Sequence, residues 1–385
     1  MDSQSTLPLF SSEPDGYRPR PVPHFDPAQI ILSRGSLNNE ERRVRVESIC
    51  RTYPHAHIIE RLDTPHNRIT MDASDPLGIH YAGKQTLVLG EHRSAVRFSS
   101  EEGNTCPNYW HFSPYGFCPF DCKYCYLAGT PGVRFSPAVK IFLNLGEMLS
   151  QIQQAADAVG QPTAFYLGKL QDGLALDPLT GYTRTLVPFF AAQRFASLTL
   201  LTKSADVENL RDLDHRGHTI LSWSLNPPEV CRSFEANTPP VESRIEAMRR
   251  CAAAGYPIRA VVMPIIPVPD WELVYSPFIE HLLNRVQLER ITLGGICIYR
   301  SAQNLMERKL GQDNAVSQLL AHNQQRSGDG RLRYPVERRV EVYRYLIRTI
   351  NRIEPALPIA LCLEETAMFQ ALGLTGSVGH CNCVL

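Results

Sequence analysis

Short apolar segments alternate with segments of helical periodicity from about residue 105 onward, and this alternation most limits the possible folds. Near-continuous apolar strands are typical of a parallel sheet that helices cover on both faces. Repeated βα units of this kind close into a full or partial barrel, with the site at the C-terminal ends of the strands. The predicted strands are residues 140–143, 164–167, 198–202, 219–225, 258–264, 291–298 and 359–362, and the predicted helices are residues 146–159, 186–192, 207–213, 241–254, 272–286 and 335–351.

A doubly wound open sheet is the competing α/β architecture. The sequence contains neither a G-x-G-x-x-G turn nor a Walker phosphate loop, and this weakens that alternative. A chain of 385 residues can bury a sizeable core, as one large domain or as one domain with appended parts. We expect a flexible tail over residues 1–27, an N-terminal subdomain over 28–104, the core barrel over 105–300 and a C-terminal region over 301–385.

Three cysteines, Cys118, Cys122 and Cys125, lie within eight residues at the spacing C-x3-C-x2-C. Each iron of a 4Fe-4S cluster normally takes one cysteine ligand, so three thiolates leave one iron open. An open iron suits the amino and carboxylate groups of S-adenosylmethionine (SAM), whose one-electron cleavage yields a 5′-deoxyadenosyl radical that abstracts hydrogen. We therefore predict these cysteines as metal ligands, with a 4Fe-4S cluster and SAM as cofactors.

A structural zinc site is the alternative for this loop. Cys122 and Cys125 could form half of such a site, and Cys118 with Cys106 or His111 could complete it. The protein would then be a zinc-stabilised nucleic-acid-binding protein without catalysis. The sequence has no second CxxC or HxxxH pair at the usual spacing, and its aromatic loop suits a buried redox cluster better. The aromatic residues are Phe117, Phe120, Tyr124 and Tyr126.

Charge and compartment limit the partners. Lys and Arg number 39 and so do Asp and Glu, which gives a net charge of zero. Proteins whose affinity depends on many phosphate contacts are usually basic, so duplex DNA is less favoured than a small substrate. The chain has neither a secretory signal nor an apolar run of membrane-spanning length, so we expect a cytoplasmic protein without membrane contact. Eleven cysteines in a reducing compartment suggest metal ligation rather than disulfides.

A second group of cysteines lies near the C-terminus. Cys362 closes a predicted strand, and Cys381 and Cys383 form a C-x-C pair. These three thiols could hold an auxiliary Fe-S cluster that relays electrons or donates sulfur. The alternative is a set of unligated thiols that pack as small apolar side chains. The sequence leaves both interpretations open.

Several segments outside the cysteine loop resemble the spore photoproduct lyase family of radical SAM enzymes. The resemblance spans roughly residues 45 to 300 and implies a partial (β/α)6 barrel with the cluster loop after its first strand. Reductive cleavage of SAM also needs an electron, so we expect an electron donor such as flavodoxin or ferredoxin as a partner. The segments that carry the resemblance are residues 51–60, 84–90, 201–204, 219–226, 244–247, 254–257, 263–266 and Trp271.

The resemblance also implies roles for individual residues. Tyr126 would lie against the adenine of SAM, Lys203 would meet its carboxylate, and Ser224 would hydrogen-bond its methionine or ribose part. Tyr124 would act as a radical relay. The alternatives are packing for Tyr124, a surface salt bridge for Lys203 and a satisfied strand hydroxyl for Ser224.

Lys169 marks a departure from this family. Its DNA-repair members carry a cysteine there that returns a hydrogen atom to the product radical, and a lysine N–H bond is too strong for that step. Lys169 could instead anchor a carboxylate or phosphate, or bind the SAM carboxylate, while Asp172 could bind ribose hydroxyls or cap a loop. We therefore expect hydrogen abstraction from a nucleoside, nucleotide or other small substrate. Thymine-dimer repair in DNA, with another hydrogen donor, is the alternative.

Overall fold

The computed structural model describes residues 16–101, 103–322 and 329–385, so the first 15 residues of the predicted tail lie outside it. Each predicted strand overlaps an observed one. The strands are β1 (Gln29–Ser33), β2 (His57–Arg61), β3 (Thr86–Gly90), β4 (Arg97–Ser99), β5 (Tyr109–His111), β6 (Tyr115–Gly116), β7 (Asp121–Cys122), β8 (Val139–Phe142), β9 (Thr163–Leu167), β10 (Ala196–Thr202), β11 (Thr219–Ser224), β12 (Glu235–Ala236), β13 (Ile258–Val262), β14 (Arg290–Leu293) and β15 (Ile359–Leu361).

Helices connect and cover these strands. The α-helices are α1 (Glu40–Thr52), α2 (Pro76–Lys84), α3 (Pro131–Phe135), α4 (Leu145–Val159), α5 (Asp177–Thr180), α6 (Thr183–Ala191), α7 (Pro228–Phe234), α8 (Val241–Ala253), α9 (Trp271–Arg285), α10 (Arg300–Leu310), α11 (Ala315–Ala321), α12 (Val336–Ile353) and α13 (Thr366–Leu372). Short 3-10 turns cover His66–Arg68, Tyr126–Gly129, Glu208–Leu210 and Thr375–Ser377. None of the helices in these described ranges is both long and apolar enough to cross a membrane.

One predicted helix, residues 207–213, is wrong. Only the 3-10 turn Glu208–Leu210 forms there. Asp206 accepts a hydrogen bond from the Glu208 amide, and Asp212 adopts a positive φ of 59°, which stops helical propagation after a single turn.

An eight-stranded sheet forms the larger layer, in the order β15-β14-β13-β11-β10-β9-β5-β4. All its neighbours pair in parallel except β4 and β5. Six strands, from β5 to β14, supply the parallel units of a partial (β/α)6 barrel, and β15 adds one more. The predicted α/β fold class is therefore confirmed, and the described strands form an open sheet rather than a closed barrel.

A second sheet of five strands packs beside it, in the order β2-β1-β3-β8-β6. The predicted strand at 140–143 belongs to this sheet, because β8 pairs in parallel with β3 and antiparallel with β6. The pairing joins residues from the predicted N-terminal subdomain to residues beyond position 105. One continuous hydrophobic core runs through both layers, from Val22 to Phe369.

Candidate active site

The cysteine loop lies between β6 and the 3-10 turn that begins at Tyr126. Cys122 belongs to β7, which pairs antiparallel with β12. The Lys123 amide also donates to the Phe234 carbonyl at 2.7 Å. Phe117, just before the first cysteine, adopts a positive φ of 62°, a conformation that neighbouring structure must hold in place. The loop is therefore fixed by its pairing with a segment more than a hundred residues later.

All three predicted cluster ligands line one pocket. This pocket opens at the C-terminal ends of the barrel strands, where sites of such barrels are found. Gly168 follows β9, Lys203 follows β10, Ser224 ends β11 and Gly295 follows β14. The pocket also brings together the predicted SAM-binding residues Tyr126, Asp172, Lys203 and Ser224 with the predicted relay Tyr124.

The thiols suit a metal cluster by their chemistry. Burial raises the pKa of Cys118 well above its ordinary value and that of Cys122 to about 12. A metal that ligates such thiols favours the thiolate and offsets the cost of burying its charge. No three His, Cys, Asp or Glu side chains in the described ranges are arranged to hold a single metal ion. A 4Fe-4S cluster binds each thiolate through a different iron.

Charged side chains clamp the loop from outside. The Asp121 carboxylate contacts His80 at 2.8 Å, Lys309 at 2.5 Å and Lys123 at 2.9 Å. Burial alone would raise the pKa of Asp121, but these hydrogen bonds and charges hold it well below its usual range. Lys84 donates to the carbonyls of Cys118 and Phe120, at 2.6 Å each. Each contact holds a main-chain or side-chain oxygen of the loop, and together they restrict the movement of the three cysteines relative to the rest of the protein.

A buried ionic network lies behind the pocket. The Lys203 ammonium donates to the Ser224 hydroxyl at 2.6 Å and lies 3.9 Å from the Glu235 carboxylate. Glu235 also accepts a hydrogen bond from the Tyr124 hydroxyl and pairs with Arg244 at 2.7 Å. Burial alone would raise the pKa of Glu235, yet Lys203 and Arg244 outweigh it and lower this pKa to about 2. The network orients Lys203 and Tyr124 toward the pocket.

Asp172 binds the loop that carries it. One carboxylate oxygen accepts from the Leu174 and Ala175 amides at 3.0 and 2.9 Å and from the Thr202 hydroxyl at 2.6 Å. The other accepts from the Lys203 amide at 2.7 Å. These contacts correspond to a loop cap, which is the alternative role that the sequence analysis gave for Asp172. Ribose binding stays a prediction.

Lys169 follows Gly168, which lines the pocket, but is not itself among the residues that line it. Its ammonium contacts the Glu101 carboxylate at 3.0 Å and lies 4.8 Å from the Tyr109 ring centre. The Tyr126 hydroxyl donates to the Lys169 carbonyl. Lys169 thus positions Tyr126 through its main chain, while its predicted catalytic role and the predicted contact with SAM stay predictions.

The C-terminal cysteines lie close together, and a fourth joins them. The Cys106 thiol forms a hydrogen-bonding contact with Cys381, and Cys381 forms one with Cys383. Cys362 lies within electrostatic range of all three. We call Cys106, Cys362, Cys381 and Cys383 the four-thiol group.

Sequence reasoning missed three residues of this region. Glu235 organises the network behind the pocket, Cys106 joins the four-thiol group, and Cys297 lines the pocket as a buried thiol. Glu235 has no motif around it. The sequence indicated Cys106 only as a possible zinc ligand. Cys297 resembled a core residue because the predicted strand around it, residues 291–298, is apolar. Only the chemical reactivity of their side chains could have marked the two cysteines as candidates.

Comparison with known proteins gives a consistent result. The family model described as spore photoproduct lyase matches residues 41–298. The spore photoproduct lyase of Geobacillus sp. (strain Y412MC61) is 30% identical over 239 residues, which cover 61% of this chain and 67% of that protein. That of Bacillus subtilis (strain 168) is 30% identical over 225 residues, covering 58% and 64%. The chain thus spans about two thirds of the length of these relatives.

Solved structures show the same fold. A spore photoproduct lyase complexed with dinucleoside spore photoproduct superposes with a TM-score of 0.77 at 23% identity, covering 88% of this chain and 99% of that one. A mutant spore photoproduct lyase with bound AdoMet and dinucleoside spore photoproduct gives a TM-score of 0.76 at 23% identity, covering 87% of this chain and 98% of that one.

Proposed function

Because the chain belongs to the spore photoproduct lyase family of radical SAM enzymes, we propose that it abstracts hydrogen from a nucleoside, nucleotide or other small substrate. A 4Fe-4S cluster and SAM are the cofactors of this chemistry. Cys118, Cys122 and Cys125 are the proposed cluster ligands. An electron donor such as flavodoxin or ferredoxin and a cytoplasmic location are parts of the same proposal. The alternative of a zinc-stabilised protein without catalysis is not retained.

The observation that carries this proposal is a single pocket lined by the three cysteines of the loop and by the side chains that are predicted to bind SAM. The bound cofactors supply a 5′-deoxyadenosyl radical, and the protein supplies orientation and a dry site. The Lys203 ammonium is a point charge suited to a carboxylate, and its hydrogen bond to Ser224 fixes the direction in which it points. The aromatic wall of the pocket, made of the buried Phe120 and Tyr124 and the half-buried Tyr126, limits the access of water to the reacting atoms.

Anaerobic reconstitution tests the proposal. Protein loaded with iron and sulfide, then given SAM and dithionite, is expected to form 5′-deoxyadenosine. Cys122→Ala is expected to abolish this product, whereas Cys50→Ala, on α1 and away from the pocket, keeps it. Absence of reductive SAM cleavage in fully loaded wild-type protein would end the proposal.

The position of Lys169 offers a test of product choice. Lys169→Cys is expected to leave SAM cleavage intact and to change the substrate-derived product, because a thiol gives up hydrogen far more easily than an ammonium. Candidate nucleosides and nucleotides are incubated with both proteins, and products are compared by mass spectrometry. An unchanged product set would remove this position from the mechanism.

Thymine-dimer lysis is a second candidate, favoured by a thiol in the pocket. Cys297 follows β14, is 7% exposed and lines the same cavity as the cluster cysteines. It could take the place of the missing hydrogen donor. The S–H bond breaks, a C–H bond forms on the product radical, and a thiyl radical remains on Cys297. One electron from the reductant and one proton return it to the thiol.

A synthetic dinucleoside spore photoproduct separates the two candidates. Formation of repaired dinucleoside by wild-type protein, and its loss in Cys297→Ala with 5′-deoxyadenosine still formed, would favour the second. SAM cleavage without repair favours the first. Cys251→Ala, another buried cysteine outside the pocket, is the matched control.

A further inference from the structure

The four-thiol group lies inside the partial barrel, on the face of the sheet that also carries the pocket. Ser224 lines the pocket, and residues two apart on a strand share a face, so Ser222 faces the same side. Across the sheet, the pairing of β11, β13, β14 and β15 puts Arg259, Arg290 and Cys362 on this face as well. Arg259 and Arg290 lie toward the N-terminal ends of their strands, whereas Cys362 directly follows β15, so the group lies beside the pocket on the same face of the sheet.

The C-terminal segment is anchored on that face. The Ser222 hydroxyl donates to the Asn382 side-chain oxygen at 2.8 Å. Arg259 donates to the Val384 carbonyl at 2.6 Å, and Arg290 to the Cys381 carbonyl at 2.9 Å. These contacts hold Cys381 and Cys383 in place, so the C-x-C pair belongs to an anchored segment.

Cys106 and Cys362 are brought together by a separate contact. Both the amide and the hydroxyl of Thr105 donate to the Glu364 carbonyl, at 2.9 Å each. The Cys362 amide continues the β15 pairing by donating to the Leu293 carbonyl at 2.9 Å. Three separate segments thus supply the four thiols, each fixed by its own main-chain hydrogen bonds.

The surroundings suit an anionic group. A cluster with four thiolates carries net negative charge. Two cations bind the segment that carries Cys381 and Cys383: Arg259 is buried and also pairs with Glu289 at 2.8 Å, and Arg290 is half-buried. Asn382, between the two tail cysteines, is 4% exposed, and its amide nitrogen has no hydrogen-bond partner in the part of the chain that the structure describes. An amide N–H of this kind is the type of donor that stabilises cluster sulfides.

We propose that the four-thiol group binds a second 4Fe-4S cluster, with one thiolate on each iron. Because no iron stays open, this cluster takes no SAM. It receives one electron from a low-potential donor such as reduced ferredoxin or flavodoxin and passes it to the cluster at the cysteine loop. This relay role rests on the function proposed above, whereas binding of the cluster does not.

The end of β14 connects the two regions. The Cys362 amide donates to the Leu293 carbonyl at 2.9 Å, and Gly295, two residues further along the chain, lines the pocket. A short distance between two clusters is what one-electron relay needs.

Iron counting after anaerobic reconstitution tests the proposal. Wild-type protein and Cys50→Ser are expected to bind about eight irons and eight sulfides, and the double variant Cys381→Ser/Cys383→Ser about four of each. A variant lacking Cys118, Cys122 and Cys125 is expected to keep about four irons. This last result is independent of SAM cleavage, so failure of the proposed function would leave it unchanged.

Electron paramagnetic resonance of the reduced proteins identifies each cluster. SAM is expected to alter the signal of the double variant and to leave that of the loop variant unchanged. The SAM response also shows that the double variant is folded. Cys106→Ser, which leaves the tail intact, is expected to lose the same signal as the double variant.

Reductant dependence tests the relay. With reduced flavodoxin, 5′-deoxyadenosine formation by the double variant is expected to fall at least about tenfold, and with dithionite to stay within about twofold of wild type. About four irons in wild-type protein, zinc in place of iron, or a disulfide within the four-thiol group would each overturn the proposal.

Discussion

Replacing Glu235 by glutamine tests the ionic network behind the cysteine loop. The side chains of Glu235 and Arg244 are fully buried, and Lys203 is 13% exposed. Glutamine keeps the shape of the side chain and removes its charge. Two cations in a buried setting then lose the carboxylate that both of them face.

The expected loss is large. Removing one partner of a buried ion pair lowers the free energy of unfolding by about 3–5 kcal/mol. The titration of Glu235 gives a similar size: its pKa falls from 4.5 to about 2 on folding, which corresponds to about 3 kcal/mol. The cost of breaking the ion pair and the free energy from the pKa change have the same order of magnitude. Both depend on how strongly the two cations favour the ionised carboxylate.

The sign of the pH dependence follows from the lowered pKa. A carboxylate with a depressed pKa stabilises the fold fully above 4.5, and this contribution is lost as the pH falls toward 2. The difference in unfolding free energy between wild type and Glu235→Gln is therefore expected to shrink by about 1 kcal/mol between pH 7 and pH 4.

Anaerobic urea unfolding, followed by the fluorescence of the buried Trp223 beside Ser224, measures both effects. Glu246→Gln is the control, because Glu246 pairs with Arg249 on the surface and its loss is expected to leave the urea midpoint unchanged. A loss below about 1 kcal/mol for Glu235→Gln at pH 7, or a difference that does not vary with pH, would refute the reasoning.

Two further predictions concern other buried charges. Asp121→Asn leaves Lys309, only 2% exposed, without its 2.5 Å carboxylate contact, so we expect a loss of about 3–5 kcal/mol and faster iron release to a chelator. Lys123→Ala is expected to lower the free energy of unfolding by less than about 1 kcal/mol. Equal losses in both variants would contradict the idea that the Asp121–Lys309 contact holds the cysteine loop. Burial lowers the pKa of Lys140 to about 7, so the folded state binds fewer protons than the unfolded chain between pH 7 and 10.5. Stability therefore rises with pH there by up to about 1.4 kcal/mol per pH unit. Lys140→Met is expected to abolish this slope in urea midpoints, and a slope equal to that of wild type would speak against it.

Local sequence patterns predicted most of the strands and helices, but they did not predict which strands pair with each other. The apolar run at 140–143 is a strand, as its composition indicates, yet it pairs with β3 in the second sheet. Which sheet a strand joins depends on long-range register, which four apolar residues do not encode. The segment 207–213 has apolar residues at helical spacing, but Asp206 and Asp212 compete locally and only one turn forms.

Residue order alone indicated the cysteine loop, the α/β class and the family resemblance, because these depend on short motifs and on apolar segments that recur along the chain. The family resemblance implied roles for Lys203 and Ser224, and their position at the ends of apolar strands agreed with those roles. Which remote side chains meet these residues depends on how the chain packs. Glu235 lies beside Cys122 because β12 pairs with β7, and Cys106 lies beside Cys381 because separate segments converge on one face of the sheet. Such neighbours are set by sheet register and chain crossing, and no short stretch of sequence contains them.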